Sequence, residues 1–173
     1  AAVEGAKIAG ATEIIVNDAH DRMTNLDIRE LDVDITLISG SPKKLGMMEG
    51  LEGSDGVFFI AYHAMAGTPE AVLDHSLSTS AFEIRLNGKP AGEVGLNAAL
   101  CAHYGIPVIL VTGDQAVCTE AELLFEDRVI TCPVKKGRGQ FCADLLSTAE
   151  TGKKISLGSR EALQGLQKGL FSA

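Results

Sequence analysis

The stretch IPVILVTGD, Ile106–Asp114, is the most continuously apolar run of this 173-residue chain and decides its fold class. Three shorter apolar runs precede it: EIIV at Glu13–Val16, DITLISG at Asp34–Gly40 and GVFFIAYH at Gly56–His63. Runs without polar alternation are typical of strands that are buried on both faces of a parallel sheet. With helices between these runs, the pattern predicts an α/β fold: a mostly parallel sheet with helices on both faces.

The helices are predicted from their end signals. Ala2–Ile8 carries helix formers and is followed by Gly10, a plausible stop. The segment EVGLNAALCAHYG has apolar residues at helical spacing and ends at Gly105. Thr119 in TEAELLF and Ser159 in SREALQGLQKGL are the predicted N-caps of two further helices.

One segment interrupts this alternation of strands and helices. In AFEIRLNGKPAGE, the apolar residues Phe82, Ile84 and Leu86 alternate with charged ones, and Asn87-Gly88 follows. Alternation followed by Asn-Gly is the strongest short-range signal for a β-hairpin. We therefore expect a small antiparallel hairpin inside one α/β domain that covers residues 1–173.

Composition narrows the class of partner. The formal net charge of −8 argues against nucleic acid or an anionic membrane as the main partner. No apolar stretch reaches the roughly 18–20 residues that a membrane span needs. The four cysteines lack the spacing of a metal or redox motif, so we expect reduced thiols in a cytoplasmic protein. The short basic clusters, at 43–44, 135–138 and 153–154, are interpreted as solvated loops.

Two histidines stand where predicted strands end. His20 follows the first strand in NDAH, and His63 ends the third in AYH. In open α/β sheets, functional sites lie beyond the carboxyl ends of the strands. Two imidazoles at one edge of a sheet favour a metal or acid–base site, although a single histidine there is more often an ordinary polar residue.

Two further residues, Glu93 and His75, are ambiguous on residue chemistry alone, whereas His103 has a structural explanation. Glu93 opens a helix, where an acid is stabilised by the helix dipole without any further role. His75 lies in LDHSLSTS, which is equally compatible with a surface loop. His103 ends a helix, and there the dipole explains it fully.

Seven strings occur in this chain in a specific order: VNDAH, LISG, MMEGL, AYHAMAGTP, DHS, NGKPAGEVGLNA and GIPVILVTGD. In that order they resemble the zinc-dependent D-aminopeptidase family. The resemblance covers about residues 1–114 and continues more loosely through VKKGRG. It implies an α/β catalytic domain and a metal-dependent hydrolase.

The resemblance also implies roles for individual residues. His20, His63 and Glu93 match zinc ligands of the family, and His75 matches its catalytic histidine, which works beside the metal without binding it. The implied cofactor is Zn²⁺, as one or two ions. The implied reaction releases an N-terminal D-residue such as D-Ala from a short peptide by zinc-activated water. The resemblance also implies assembly into a closed homo-oligomeric ring with the sites facing an inner chamber.

One departure from the family leaves alternatives open. Members carry an Asp-x-Glu pair at the end of a first strand, and both carboxylates bind zinc. This chain begins in the helix that would follow that strand, so we expect it to be incomplete at the N-terminus and also at the C-terminus. The alternative function is an inactive relative that binds a metal or small molecule. A metal-free protein that binds a nucleotide or sugar is disfavoured, because no recognised glycine-rich phosphate loop follows any strand.

Overall fold

The computed structural model describes residues 1–31, 34–126 and 128–173. These residues form α1 (Ala2–Ile8), β1 (Ile15–Asn17), β2 (Thr36–Ile38), β3 (Val57–Tyr62), β4 (Arg85–Leu86), β5 (Lys89–Pro90), α2 (Glu93–His103), β6 (Val108–Asp114), α3 (Gln115–Phe125), β7 (Ile130–Gly139), β8 (Cys142–Leu145) and α4 (Thr148–Gln167). Two short 3₁₀ turns, Ile28–Glu30 and Gly46–Met48, lie in the connections.

Strand β6 is inside the main sheet, whose strand order is β3-β6-β7-β8. It pairs in parallel with β3 on one side and with β7 on the other, and β8 closes the edge antiparallel to β7. Every residue of β6 is buried. Full burial explains why this strand lacks polar alternation, and the prediction of a mostly parallel sheet is confirmed.

Helices cover both faces of this sheet. On one face α2 and α3 pack against a core that includes Phe59, Val94 and Val117. On the other face α4 packs against β6 and β7 around Leu110 and Ala162, and α1 packs on α4. Burying a large aliphatic side chain stabilises the fold by about 1.5–3 kcal/mol, so the two cores hold the strand ends in place.

Two smaller sheets accompany the main one. Strands β1 and β2 form a parallel pair. The predicted hairpin is confirmed: β4 and β5 pair antiparallel, with Asn87 and Gly88 in the left-handed region at φ 52° and 79°. Positive φ at both central residues is what a tight hairpin turn requires, and Asn-Gly supplies it at low cost.

Two predicted helix starts are wrong. Helix α3 begins at Gln115, because the Asp114 carboxylate accepts the N–H of Val117 and caps the helix five residues before the predicted cap, Thr119. Helix α4 begins after Ser147, whose hydroxyl accepts the N–H of Glu150. Ser159 lies buried inside α4 and donates its hydroxyl to the carbonyl of the preceding turn.

The prediction of loops is also wrong for two basic clusters, since 135–138 belongs to β7 and 153–154 to α4. All four cysteines are free: Cys101, Cys118 and Cys132 are buried, and Cys142 is exposed. Within the described parts of the chain, no helix has the length and apolar character needed to cross a bilayer.

Strand β7 passes directly against residues 70–77, the segment that carries His75. A Cβ placed on Gly137 would overlap the carbonyl oxygen of Glu70, so β7 and that segment approach backbone to backbone. Glycine is required at this position because any side chain would push the two apart.

We expect Gly137→Ala to lower the free energy of unfolding by about 1–3 kcal/mol, because overpacking forces a backbone shift. Urea denaturation monitored by circular dichroism measures it. The matched control is Gly152→Ala within α4, where an added Cβ meets nothing. That control should stabilise the protein by about 0.5–1 kcal/mol. Equal effects of the two substitutions would contradict the close approach.

Candidate metal centre

A bulge at the end of β3 directs His63 out of the sheet. The pairing of β3 with β6 shifts register between Phe59 and Tyr62, and Ala61 lies there in the left-handed region at φ 60°. The Ala61 N–H, displaced from the regular ladder, donates to the Thr112 hydroxyl at 2.9 Å. Bulges of this kind re-aim a side chain at the end of a strand.

Glu93, the first residue of α2, lies opposite His63. It is 6% exposed. Its Oε2 is 3.4 Å from His63 Nε2, and its Oε1 is 3.6 Å from His75 Nε2. The Oε1 atom also accepts the N–H of Leu77 at 2.9 Å. One buried carboxylate therefore faces both imidazoles.

The two imidazole rings are stacked. Their centroids are 3.8 Å apart with an interplanar angle of 20°. Each ring directs Nδ1 to a backbone carbonyl: His63 to Ala64 at 3.1 Å and His75 to Leu73 at 2.6 Å. A proton on Nδ1 leaves Nε2 free to face Glu93, which is how metal-binding histidines are oriented.

Candidate ligand atoms of His63, His75 and Glu93 all lie within 4.8 Å of one another. Burial lowers the pKa of His63, but the hydrogen bond and negative charge of Glu93 outweigh it, so the pKa is raised. Burial likewise raises the pKa of Glu93, and its contacts with His63 outweigh this and lower it. The carboxylate thus favours a positive charge beside it, and two imidazoles with one carboxylate form a donor set that suits zinc.

The segment that carries His75 is held by hydrogen bonds from other elements. The Val72 N–H donates to Asp114 Oδ2 at 2.6 Å, and the Leu73 N–H donates to the Gln140 carbonyl at 2.8 Å. Three non-glycine residues of this segment are left-handed, with φ of 53–59°: Glu70, Leu73 and Leu77. Such backbone persists only where surrounding contacts over-determine it.

Two positioning acids escaped the sequence reasoning. Asp114 ends the apolar run that predicts β6, and its place between an apolar strand and a helix is itself an N-cap signal. Glu120, on α3, accepts the N–H of Met65 at 2.8 Å and so holds the turn after His63. No local signal marks Glu120, because its partner is 55 residues away.

His20 is not brought into this group. Its side chain is exposed on the turn that follows β1. The turn itself is anchored, because buried Asp18 accepts the N–H of Leu26 at 2.7 Å, and the Asn25 amide donates to the His20 carbonyl at 2.6 Å. The structure therefore brings together His63, His75 and Glu93 and leaves His20 outside.

Comparisons with known proteins agree with one another. The sequence profile of a family described as D-aminopeptidase matches residues 1–172. The D-aminopeptidase of Bacillus subtilis (strain 168) is 38% identical over 161 residues, which is 92% of this chain and 58% of that protein. A solved structure titled "Zn-dependent D-aminopeptidase DppA from Bacillus subtilis, a self-compartmentalizing protease" matches with a TM-score of 0.94 and 35% identity, covering 99% of this chain and 61% of that one. The chain spans less than two thirds of the length of both relatives.

Glu120 provides a test of the electrostatics around His63. Burial raises the pKa of Glu120, and this outweighs the lowering by the Met65 N–H and by the His63 charge. A carboxyl whose folded pKa is raised loses stabilisation as the pH climbs from its unfolded value of 4.5 through its folded value. The ionised group is therefore a cost to the folded state at pH 7.

We expect Glu120→Gln, studied with a chelator present, to be at least as stable as the wild type at pH 7, by up to about 1 kcal/mol. The amide oxygen still accepts from Met65, and the buried charge is gone. The difference should vanish below pH 4.5, where the wild-type carboxyl is protonated in both states. Urea denaturation across this range measures it, with exposed Glu161→Gln as the control. A variant less stable than the wild type at pH 7 would show that the charge itself is needed.

Proposed function

The chain belongs to the D-aminopeptidase family, and from this premise we propose that residues 1–173 form the catalytic domain of a zinc-dependent peptidase. It releases N-terminal D-residues, such as D-Ala, from short peptides. The observation that carries the proposal is the convergence of His63, His75 and Glu93 at the carboxyl end of β3. These three residues are 12 and 18 positions apart along the chain, and the fold alone brings them together.

We assign zinc binding to His63, Glu93 and His20. His63 and Glu93 are supported by their separation of 3.4 Å, their burial and the free Nε2 atom of the imidazole. His20 is supported by the VNDAH motif only, because its side chain lies outside the group. The family resemblance implies one or two zinc ions, and of the three assigned residues the structure brings only His63 and Glu93 together. When bound, zinc supplies a Lewis acid for the peptide carbonyl and lowers the pKa of a water molecule.

We assign proton transfer to His75. Its Nδ1 is engaged by the Leu73 carbonyl, so the proton moves at Nε2, on the side that faces Glu93. This nitrogen accepts a proton as water adds to the scissile carbonyl carbon. It then returns the proton to the amine nitrogen as the C–N bond breaks. The products are a free D-amino acid and a shortened peptide.

The geometry also supports a second candidate, an inactive relative that only binds a metal or small molecule. His75 Nε2 is 3.6 Å from the Glu93 carboxylate and His63 Nε2 is 3.4 Å from it, so the two imidazoles are placed almost equivalently. If both serve as ligands, no histidine remains for proton transfer.

Matched dipeptides distinguish these functions. We expect D-Ala-D-Ala to be hydrolysed and L-Ala-L-Ala not, with activity lost on chelation and restored by zinc. His75→Ala should keep its zinc and lose about 10²–10⁴-fold in rate, which is the usual contribution of general acid–base catalysis. His63→Ala should lose zinc. The control His103→Ala, at the end of α2, should retain both zinc and activity. Loss of zinc from His75→Ala would make His75 a ligand and favour the binding relative.

We further propose that the chain self-associates into a closed ring, because the solved relative is titled a self-compartmentalizing protease. Several large apolar side chains are exposed and available for burial between subunits, among them Phe82, Leu123 and Phe141 at 79–82% exposure. Light scattering should give a mass several times the 18.1 kDa of one chain. A monomer at micromolar concentration would overturn the proposal.

A cytoplasmic location is likewise proposed, on the strength of four unpaired cysteines.

A further inference from the structure

A cavity of about 230 Å³ opens beside the candidate metal centre and has no role in the assignments above. Its walls come from the segments that carry the three central residues. Met65 and Gly67 follow His63, Ser76 follows His75, and Ala91 precedes Glu93 by two residues. Phe82 and Ile84, from the approach to the hairpin, complete the enclosure.

The cavity and the metal centre share one framework of hydrogen bonds. The Ala66 N–H donates to the Ser76 hydroxyl at 3.2 Å and joins the segments of His63 and His75. The Leu77 N–H donates to Glu93, which joins the segment of His75 to helix α2. The cavity therefore has a lining residue within two positions of each member of the metal centre: Met65 beside His63, Ser76 beside His75 and Ala91 beside Glu93.

The lining of the cavity is mostly apolar. Its side chains include Met65, Ile84 and Ala91. Phe82 is 82% exposed, yet its ring lies close enough to Gly67 that a Cβ there would be 3.5 Å from it. The one acidic lining residue, Glu83, has both carboxylate oxygens engaged by Arg85, at 2.7 and 2.9 Å. The surface thus suits an uncharged group.

The size of the cavity indicates what kind of ligand group it can hold. Pockets for whole drug-sized ligands measure about 300–1,000 Å³. This cavity is smaller, so it suits one side chain of a ligand whose reacting atoms lie outside it, at the metal centre. We propose that it binds the apolar side chain of the peptide residue on the C-terminal side of the scissile bond and selects small side chains there. The proposal rests on the proposed peptidase function, which it makes more specific.

Two substitutions change the size of the cavity in opposite directions. Ile84→Ala enlarges it and Ala66→Val narrows it. One methylene in an apolar pocket changes discrimination by about 10–200-fold. We therefore expect Ile84→Ala to raise the ratio of kcat/KM for D-Ala-D-Leu over D-Ala-D-Ala at least about tenfold, and Ala66→Val to lower it. The control Leu157→Ala, at an exposed position of α4, should leave the ratio unchanged. Ratios within twofold of the wild type in both cavity variants would overturn the proposal.

A binding measurement separates this proposal from the peptidase function. The probe is a reduced-amide analogue of D-Ala-D-Leu, which cannot be hydrolysed, added to the protein as purified with ¹³C-methyl methionine. The Met65 methyl signal should move saturably, while that of Met48, 5% exposed in the core, should not. Hydrolysis of D-peptides without a shift at Met65 would overturn the cavity proposal alone. A saturable shift without hydrolysis would overturn the peptidase function and support the cavity. If neither hydrolysis nor a shift at Met65 is observed, both the peptidase function and the cavity proposal are overturned.

Discussion

The carboxylate of Asp114 is the constraint on which the candidate site depends. It is fully buried at the end of β6, and its two oxygens have different partners. One caps α3 through Val117, and the other holds the backbone of Val72. Less than two turns along the same helix, Glu120 holds the backbone of Met65. A single helix thus positions both loops that carry histidines, and the buried sheet fixes that helix.

A second carboxylate completes the arrangement from the other side. Glu93 is placed by the start of α2, where a Cβ on Gly92 would meet Met65 at 2.7 Å and Glu120 at 2.8 Å. That close approach puts α2 directly beside the loop after His63. A buried carboxylate needs a compensating charge or hydrogen bonds, and Glu93 finds them in two imidazoles and the Leu77 N–H. The same requirement makes the group suited to a divalent cation.

The sequence predicts those features whose cause is local. Continuous apolar runs mark β3 and β6, and Asn87-Gly88 marks the hairpin, because burial and turn geometry act on neighbouring residues. The predicted starts of α3 and α4 are wrong because Asp114 and Ser147 cap these helices upstream of the predicted N-caps, Thr119 and Ser159. The sequence does not predict strands β7 and β8, because the charged residues of β7 interrupt the apolar pattern by which a buried strand is identified. The meeting of His63 with Glu93 was implied only by the family resemblance, because residue chemistry alone left Glu93 ambiguous. The exposure of His20 depends on a turn held by Asp18 and could not be predicted locally.

The segment around His75 shows why a site of this kind resists local prediction. Left-handed backbone at a leucine costs of order 1–3 kcal/mol, and two leucines flank the histidine in that conformation. No propensity would select it. It persists because Asp114, Gln140 and Glu93 each hold one backbone N–H of the segment. The position of His75 is therefore set by the assembled sheet and helices, so the geometry of the candidate metal centre forms only when these elements have folded together.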